Sequence, residues 1–316
     1  MVIKNFTRKF LCCLRYIRQG IFLKKIRDHL QDFNRQKRNA WWNSNIGFKK
    51  YFDTRIEHNI IMRLYFDSKL DQLIFCEDFE RNERKFLENF LRTGDIFIDI
   101  GANIGLFSLI ASPRIGKEGK IYAIEPTGKI YKRLCENVKL NHFNNIYCFQ
   151  LALSDQQDIL PFYISQTGYD AWNSLAPPNS KDLFNQEFVK CEKWDDFALE
   201  NDLIGNVTMM KIDVEGWETH LLSGGFETLS RQDAPVLQVE FSDEAAQAAG
   251  SSCVRLYHLL ENLGFQMFIY DAKLRTLIHD PIRANYSYLN LIAAKEPQKI
   301  FDRLNRAPVR FSWPLR

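Results

Sequence analysis

Nowhere do the 316 residues stay apolar for the ~20 positions a helix needs to cross a bilayer, and no apolar core of about 7–15 residues marks a signal peptide. The chain is accordingly expected in the cytoplasm, at a membrane surface at most. Cysteine is sparse and poorly spaced for bridging: Cys12, Cys13, Cys76, Cys135, Cys148, Cys191 and Cys253 are odd in number and include no Cys-x-x-Cys pair. That argues against a disulfide framework and a thiolate zinc site, and leaves most of them as buried small hydrophobes in a reducing compartment. Cys12 and Cys13 are candidates for acylation. Histidine is scarce too, six in all, and none accompanies the carboxylates described below. No internal repeat or low-complexity linker interrupts the chain.

What is present is enough for a large core, since 46% of the residues are hydrophobic. Charge is unevenly spread. Residues 1–50 hold 13 Lys/Arg against 2 Asp/Glu, a net of +11; the whole chain carries +3, so the rest carries −8. Within this basic arm, Ile3, Phe6, Phe10, Leu14, Ile17, Ile21, Ile26, Leu30 and Phe33 recur at near-helical intervals with Lys and Arg between them. Two readings stay open. Residues 1–35 form an amphipathic helix that contacts a membrane surface or an acidic partner, or they pack on the main domain with the basic face in water. Nucleic acid is not an expected partner, because the acidic body offers no second basic surface. Residues 51–78 read as a β-hairpin extension, with Ile60–Phe66 and Leu70–Phe75 joined by a turn at Asp67-Ser68-Lys69.

The chain is organised around Ile96-Phe-Ile-Asp-Ile-Gly-Ala-Asn-Ile-Gly105. Ile96 to Ile100 read as a strand buried on both faces, and Gly101 and Gly105 let the backbone turn sharply into a helix. Asp99 is costly to bury and needs a partner or a ligand. A dinucleotide fingerprint wants Gly-x-Gly-x-x-Gly; here the spacing is Gly-x-x-x-Gly, Ala102 and Asn103 lie between, and the third glycine is missing. An acid two residues before the first glycine repels a pyrophosphate but accepts hydrogen bonds from an ammonium group. The stretch therefore favours S-adenosylmethionine over NAD, with a plain strand-to-helix turn as the bland alternative.

Strand and helix then alternate as in a doubly wound, mostly parallel α/β sheet. Lys120 to Ile124 form a strand ending at Glu125-Pro126, about 20 residues after the glycine turn, where such folds hold ribose hydroxyls; on its own the pair is an ordinary strand end. A third strand, Ile146 to Leu153, ends at Ser154-Asp155, with Asp155 either beside an adenine amine or a simple turn residue. Residues 156–205 are a long excursion in which Trp172 and Asn173 suit a polyhydroxylated ring, or only pack as a cap.

A second chemical stretch is Val207-Thr-Met-Met-Lys-Ile-Asp-Val-Glu-Gly-Trp-Glu218. Period two puts Lys211, Asp213 and Glu215 on one side. Trp217 to Leu229 read as a helix, and the next strand, Pro235 to Phe241, carries Glu240 near its end. If the two strands are neighbours, Asp213, Glu215 and Glu240 converge, and clustered carboxylates either raise one another's pKa or bind a cation. A divalent cation is therefore kept as a cofactor alternative. Val254 to Leu263 read as a helix and Phe265 to Tyr270 and Tyr288 to Ala294 as strands. Asn285 and Asn290 flank the last strand without an assigned role, and 296–316 read as a surface tail.

Taken together, Asp-Ile-Gly-Ala-Asn-Ile-Gly (99–105), Glu-Pro (125–126), Lys-Ile-Asp-Val-Glu-Gly-Trp-Glu (211–218) and Val-Glu (239–240) resemble the FkbM-type S-adenosylmethionine-dependent methyltransferases. Phe79-Glu80 and Trp194-Asp-Asp-Phe197 are weaker points of likeness, and the resemblance spans roughly residues 79–294, without the basic arm. It implies a Rossmann-like class I methyltransferase domain over 79–295, closed by an antiparallel C-terminal hairpin and preceded by the helical and β extension. It also implies O-methylation of a hydroxyl on a sugar, glycan or natural product. On that basis Asp99, Gly101, Ala102, Asn103, Gly105, Glu125, Pro126, Ser154 and Asp155 are the expected cofactor contacts. Asp213 or Glu215 is the expected base, with Lys211 beside them and Glu240 holding substrate or a metal. A dehydrogenase and a catalytically silent scaffold at a membrane surface are the competing classes.

Overall fold

The computed structural model describes residues 30–77, 79–166, 173–177 and 184–305. The arm up to residue 29 with Cys12 and Cys13, the residue Trp172, and the tail from 306 lie outside the described residues.

In chain order the elements begin with helix α1 (30–45), strands β1 (Tyr51–Arg55) and β2 (Ile61–Tyr65), helices α2 (Lys69–Phe75) and α3 (Arg81–Phe90), and β3 (Ile96–Ile100). Next come α4 (Leu106–Ile115), β4 (Lys120–Ile124), α5 (Gly128–Leu140), β5 (Ile146–Phe149), β6 (Ala152–Ser154), β7 (Asp158–Ser165), β8 (Phe184–Lys193) and α6 (Trp194–Glu200). After these follow β9 (Met209–Ile212), α7 (Glu218–Ser223), α8 (Phe226–Ser230), β10 (Val236–Phe241), α9 (Asp243–Ala248) and α10 (Cys253–Asn262). The chain ends with β11 (Gln266–Asp271), β12 (Thr276–His279), β13 (Leu289–Ala294) and α11 (Pro297–Asn305).

The main sheet has eight strands in the order β12-β11-β13-β10-β9-β3-β4-β5. From β10 to β5 the strands are parallel, and β13 runs antiparallel between β10 and β11. Two apolar clusters cover its faces. One contains Phe97, Leu109, Ile121 and Leu134; the other contains Ile98, Ile100, Met210, Leu221 and Leu260. Because β3 is covered on both sides, its apolar run needs no alternation.

The extension is held by side chains that imitate a strand partner. Asn141 Oδ1 accepts from the Ile61 amide (2.8 Å) and Asn137 Oδ1 from the Arg63 amide (2.7 Å), while Asn137 Nδ2 donates to Ile104 O (3.0 Å). One residue pair thus ties β2 to the glycine-turn helix. The hairpin itself is shifted from expectation: β2 pairs with β1, not with 70–75. Residues 69–75 are helical because Ser68 caps them, its hydroxyl accepting from the Asp71 amide (3.1 Å), and Asp71 Oδ2 accepts from the Tyr65 amide (2.6 Å).

Three other expectations are corrected. The strand expected over 146–153 divides, and β6 leaves the main sheet for a three-stranded sheet, β6-β8-β7. The helix expected over 217–229 breaks at Gly224-Gly225, where a Cβ on Gly224 would lie 1.9 Å from Ser154 O. The expected tail contains α11, whose Ile300 and Leu304 are buried four residues apart and whose Arg303 pairs with Asp95 (2.6 Å). Among the described residues, no helix is long and apolar enough to cross a membrane.

Candidate active site

Parallel strands deliver their loops to one end, so β3, β4, β9 and β10 bring their following residues together. At the end of β3, Gly101 has φ +75° and lies so close to the β9 loop that a Cβ would stand 1.8 Å from Asp213 O. A side chain there requires the two loops to part. The Gly101 and Ala102 amides donate to Ile124 O (3.1 and 2.9 Å), which binds the turn to the end of β4. Asn103, at φ +48°, tolerates the left-handed conformation because its own Oδ1 accepts from the Ile104 amide (2.8 Å). Gly105, at φ +93°, begins α4.

Glu125 bridges this turn and the next loop. Its Oε2 accepts from the Asn103 amide (3.2 Å), and its Oε1 accepts from the amide and hydroxyl of Thr127 (3.1 and 2.7 Å). These residues line one side of a cavity of about 370 Å³, together with Pro126 and Leu151 to Leu153.

Asp99 has a different place from the one expected. It is fully buried beneath the turn and is not among the residues lining the cavity. Its Oδ2 accepts from the amide and hydroxyl of Ser108 (3.0 and 2.6 Å), so it braces α4. Oδ1 is buried without a hydrogen-bond partner. Burial pushes its pKa upward, against the pull of Lys211, its neighbour in register on β9.

Ser154 and Asp155 likewise lie off the cavity lining. Ser154 Oγ accepts from Trp217 Nε1 (3.0 Å) and donates to Asp155 Oδ1 (3.0 Å), and Asp155 Oδ2 meets His220 Nδ1 at 3.2 Å. Trp217, stacked on His220 with centroids 4.1 Å apart, is the member of this chain that lines the cavity. Asn173 also lines it and accepts from the Ser165 amide through Oδ1 (2.9 Å). Asn285 is exposed and outside the lining.

The same cavity is lined by clustered acids. Carboxylate oxygens of Asp213, Glu215 and Glu240 all lie within 4.8 Å of one another. Lys211 Nζ is buried 2.5 Å from Asp213 Oδ2 and 4.6 Å from the centre of the Phe107 ring. The loop carrying Glu215 is held from three directions. Glu218 Oε1 accepts from the Val214 and Gly216 amides (3.1 and 3.3 Å), Ser174 Oγ donates to Glu215 O (2.7 Å), and Gly216 packs where a Cβ would lie 2.2 Å from Ala245 O. Glu215 keeps a left-handed backbone, φ +52°.

A fourth carboxylate, Glu80, escaped the sequence reading as a site residue. It sits before α3 with φ +41°, lines the same cavity, and accepts through Oε1 from the Tyr288 hydroxyl (3.0 Å) and Asn290 Nδ2 (3.4 Å). Glu80 Oε2 and Glu240 Oε2 are buried without hydrogen-bond partners.

The electrostatics follow from this crowding. Burial, then the neighbouring acids, push Glu215 and Glu240 well above the usual carboxylate range. Burial raises Glu80 to about 7 against the opposing pull of Lys211. Burial also raises Glu218 to about 7 despite its backbone hydrogen bonds. For Lys211 burial works the other way, but Asp213, Glu80 and Asp99 outweigh it and hold the ammonium charged.

The five parallel strands, the antiparallel strand between β10 and β11, and a cavity at the carboxyl ends define a Rossmann-like class I methyltransferase. The methyltransferase FkbM domain matches residues 99–267, more than half of the chain, and the protein belongs to this family of S-adenosylmethionine-dependent methyltransferases.

Among characterised relatives, a tRNA(Phe) (4-demethylwyosine(37)-C(7)) aminocarboxypropyltransferase of Methanocaldococcus jannaschii is 35% identical over 80 residues. That match takes in 25% of this chain and 29% of the relative's length. Two solved structures are similar in fold. M. jannaschii TYW2 in complex with AdoMet is 14% identical, TM-score 0.38, over 78% of this chain and 84% of that one. The FkbM methyltransferase of Methylobacillus flagellatus is 14% identical, TM-score 0.39, over 71% of this chain and 54% of that one.

Proposed function

We propose that this methyltransferase acts on a hydroxyl group of a sugar, glycan or natural product, forming a methyl ether. The observation that carries the reading is one cavity lined both by the glycine turn and Glu125 and by Glu80, Asp213, Glu215 and Glu240. S-adenosylmethionine, when bound, supplies an electrophilic methyl group on sulfur. The residues fit it: the turn is closed by backbone hydrogen bonds, and Glu125 offers acceptor oxygens at the ribose position without a phosphate cradle.

The acidic wall supplies the other half. An aliphatic hydroxyl attacks well only as its proton is lost. With S-adenosylmethionine bound, the hydroxyl oxygen would take the methyl group, the sulfur would keep the electron pair of the broken carbon–sulfur bond, and the hydroxyl proton would pass to a carboxylate. Asp213, fixed by Lys211, orients the hydroxyl. Glu80, which changes protonation near neutral pH, takes the proton. Alignment of the two reacting groups in the cavity supplies much of the rate.

The test is to incubate the protein with methyl-labelled S-adenosylmethionine and a panel of free sugars, nucleotide sugars and polyols. The reading expects alkali-stable label in a methyl ether, with transfer reduced roughly 100-fold or more by Glu80→Gln. Label recovered only as an alkali-labile ester or on nitrogen would overturn it.

One observation favours a second element, a divalent cation among Asp213, Glu215 and Glu240. Their oxygens are close enough to share an ion, and Glu240 Oε2 is buried and unpartnered. Such an ion would displace the protons that burial favours on Glu215 and Glu240. Mn²⁺ binding by the chelator-treated protein with release of protons, abolished by Glu240→Gln, is expected. Absence of Mn²⁺ binding would remove the ion from the mechanism.

A further inference from the structure

The family match begins at residue 99, and the extension before it presents a surface that methyl transfer does not use. Helix α1 is anchored from one side. Trp42 is buried, its ring 4.7 Å from that of Phe66, and Gln72 of α2 donates to Asn39 Oδ1 and Asn43 Oδ1. That anchoring fixes which face looks outward. On the outward face Leu30 and Phe33 fall at helical spacing and are 53 and 48% exposed, with Lys37 lying 4.4 Å over the Phe33 ring, while Trp41 packs its ring against Phe52 and Phe75 (4.8 and 5.2 Å) and joins the anchor.

The helix ends in a turn, Ile46-Gly-Phe-Lys-Lys50, that exposes further apolar side chains. Ile46 is 48% exposed and Phe48 86%, the largest value among the exposed large apolar side chains of the described residues. The turn is an ordered projection: the Ile46 amide donates to Trp42 O (3.2 Å), and the Phe48 and Lys49 amides donate to Asn45 O (3.1 and 3.2 Å). Exposure of Phe48 is therefore built into the backbone. Lys49 and Lys50 follow it directly and are exposed.

Apolar side chains offered to water, flanked by cations and supported by a segment of net charge +11 in residues 1–50, match a surface that is apolar inside and negative outside. We propose that α1 and the turn after it dock on an anionic lipid surface, with Phe48 entering the acyl boundary and Lys49 and Lys50 at the headgroups. Charge complementarity selects this occupant: an apolar protein groove has no use for the lysines, and a soluble polyanion has none for Phe48.

The test is flotation of the full chain with vesicles of phosphatidylcholine alone or mixed with phosphatidylglycerol. Binding to the mixed vesicles only, weakened by salt, and reduced roughly tenfold or more by Phe48→Ser is the expected result. S-adenosylmethionine affinity of Phe48→Ser should equal that of the parent, because Phe48 is outside the cavity lining and its removal opens no core. Three outcomes would overturn the proposal: equal binding to neutral and anionic vesicles, binding to neither, or binding that Phe48→Ser leaves intact. Retention on heparin with no vesicle binding would assign the basic segment to a soluble polyanion instead.

Discussion

Glu80 and Asp99 show how a carboxylate's role is set by what surrounds it. Asp99 is the conspicuous acid of the sequence, yet both its recorded hydrogen bonds go to Ser108, and it supports the turn from below. Glu80 belongs only to a weak point of family likeness and had no assigned role, but tertiary packing gives it Tyr288 and Asn290 from the far end of the chain. Spacing along the sequence could not announce that contact. Lys211 and Glu240 were legible from adjacent strands, whereas Asp213 and Glu215, which a period-two strand was expected to carry, are brought beside Glu240 by the loop after β9, where Glu215 has φ +52°. Their crowding makes a prediction about stability. A carboxyl group whose folded pKa is raised gives no stability difference below the unfolded value near 4.5, and costs stability as pH rises from there toward the folded value. The chelator-treated protein should therefore melt at lower temperature at pH 8 than at pH 5.5. Glu240→Gln should raise the melting temperature by a few degrees at pH 8 and by less at pH 5.5, which lies nearer the unfolded value. Thermal melts at the two pH values check this, and a variant equally destabilised at both would mean that Glu240 is not held protonated.

Elements were legible where one force dominated. β3, β4 and β10 are runs of β-branched and aromatic residues buried on both faces, and the sequence reading places them within a residue of their observed bounds. The errors fall where a short apolar run fits either period. Leu70 to Phe75 has enough apolar residues for a strand; the cap at Ser68 and the buried Asp71 decide for helix. The break at Phe149 depends on β6 pairing in register with Cys191 to Lys193 of β8, a partner some 40 residues away. The helix α11 is signalled by Pro297 at its first position and Ile300 and Leu304 one turn apart, a pattern too short to stand out from the polar residues around it.

On the scale of the molecule, a strongly basic N-terminal segment is joined to an acidic body, and the cavity draws on different parts of the chain. The glycine turn and Glu125 lie within the family-matched region, as do Asp213, Glu215 and Glu240, whereas Phe79 and Glu80 from the N-terminal side and Tyr288 from the C-terminal side reach the cavity from outside it. This division explains why the sequence specified the donor better than the acceptor. The central claim concerns the donor, and the most direct measurement is isothermal titration of the purified protein with S-adenosylmethionine and, separately, with NAD, each repeated on Glu125→Ala. The account predicts micromolar binding of S-adenosylmethionine alone, weakened roughly tenfold or more by loss of the Glu125 carboxylate. Binding of NAD in its place, or S-adenosylmethionine binding indifferent to the substitution, would contradict it.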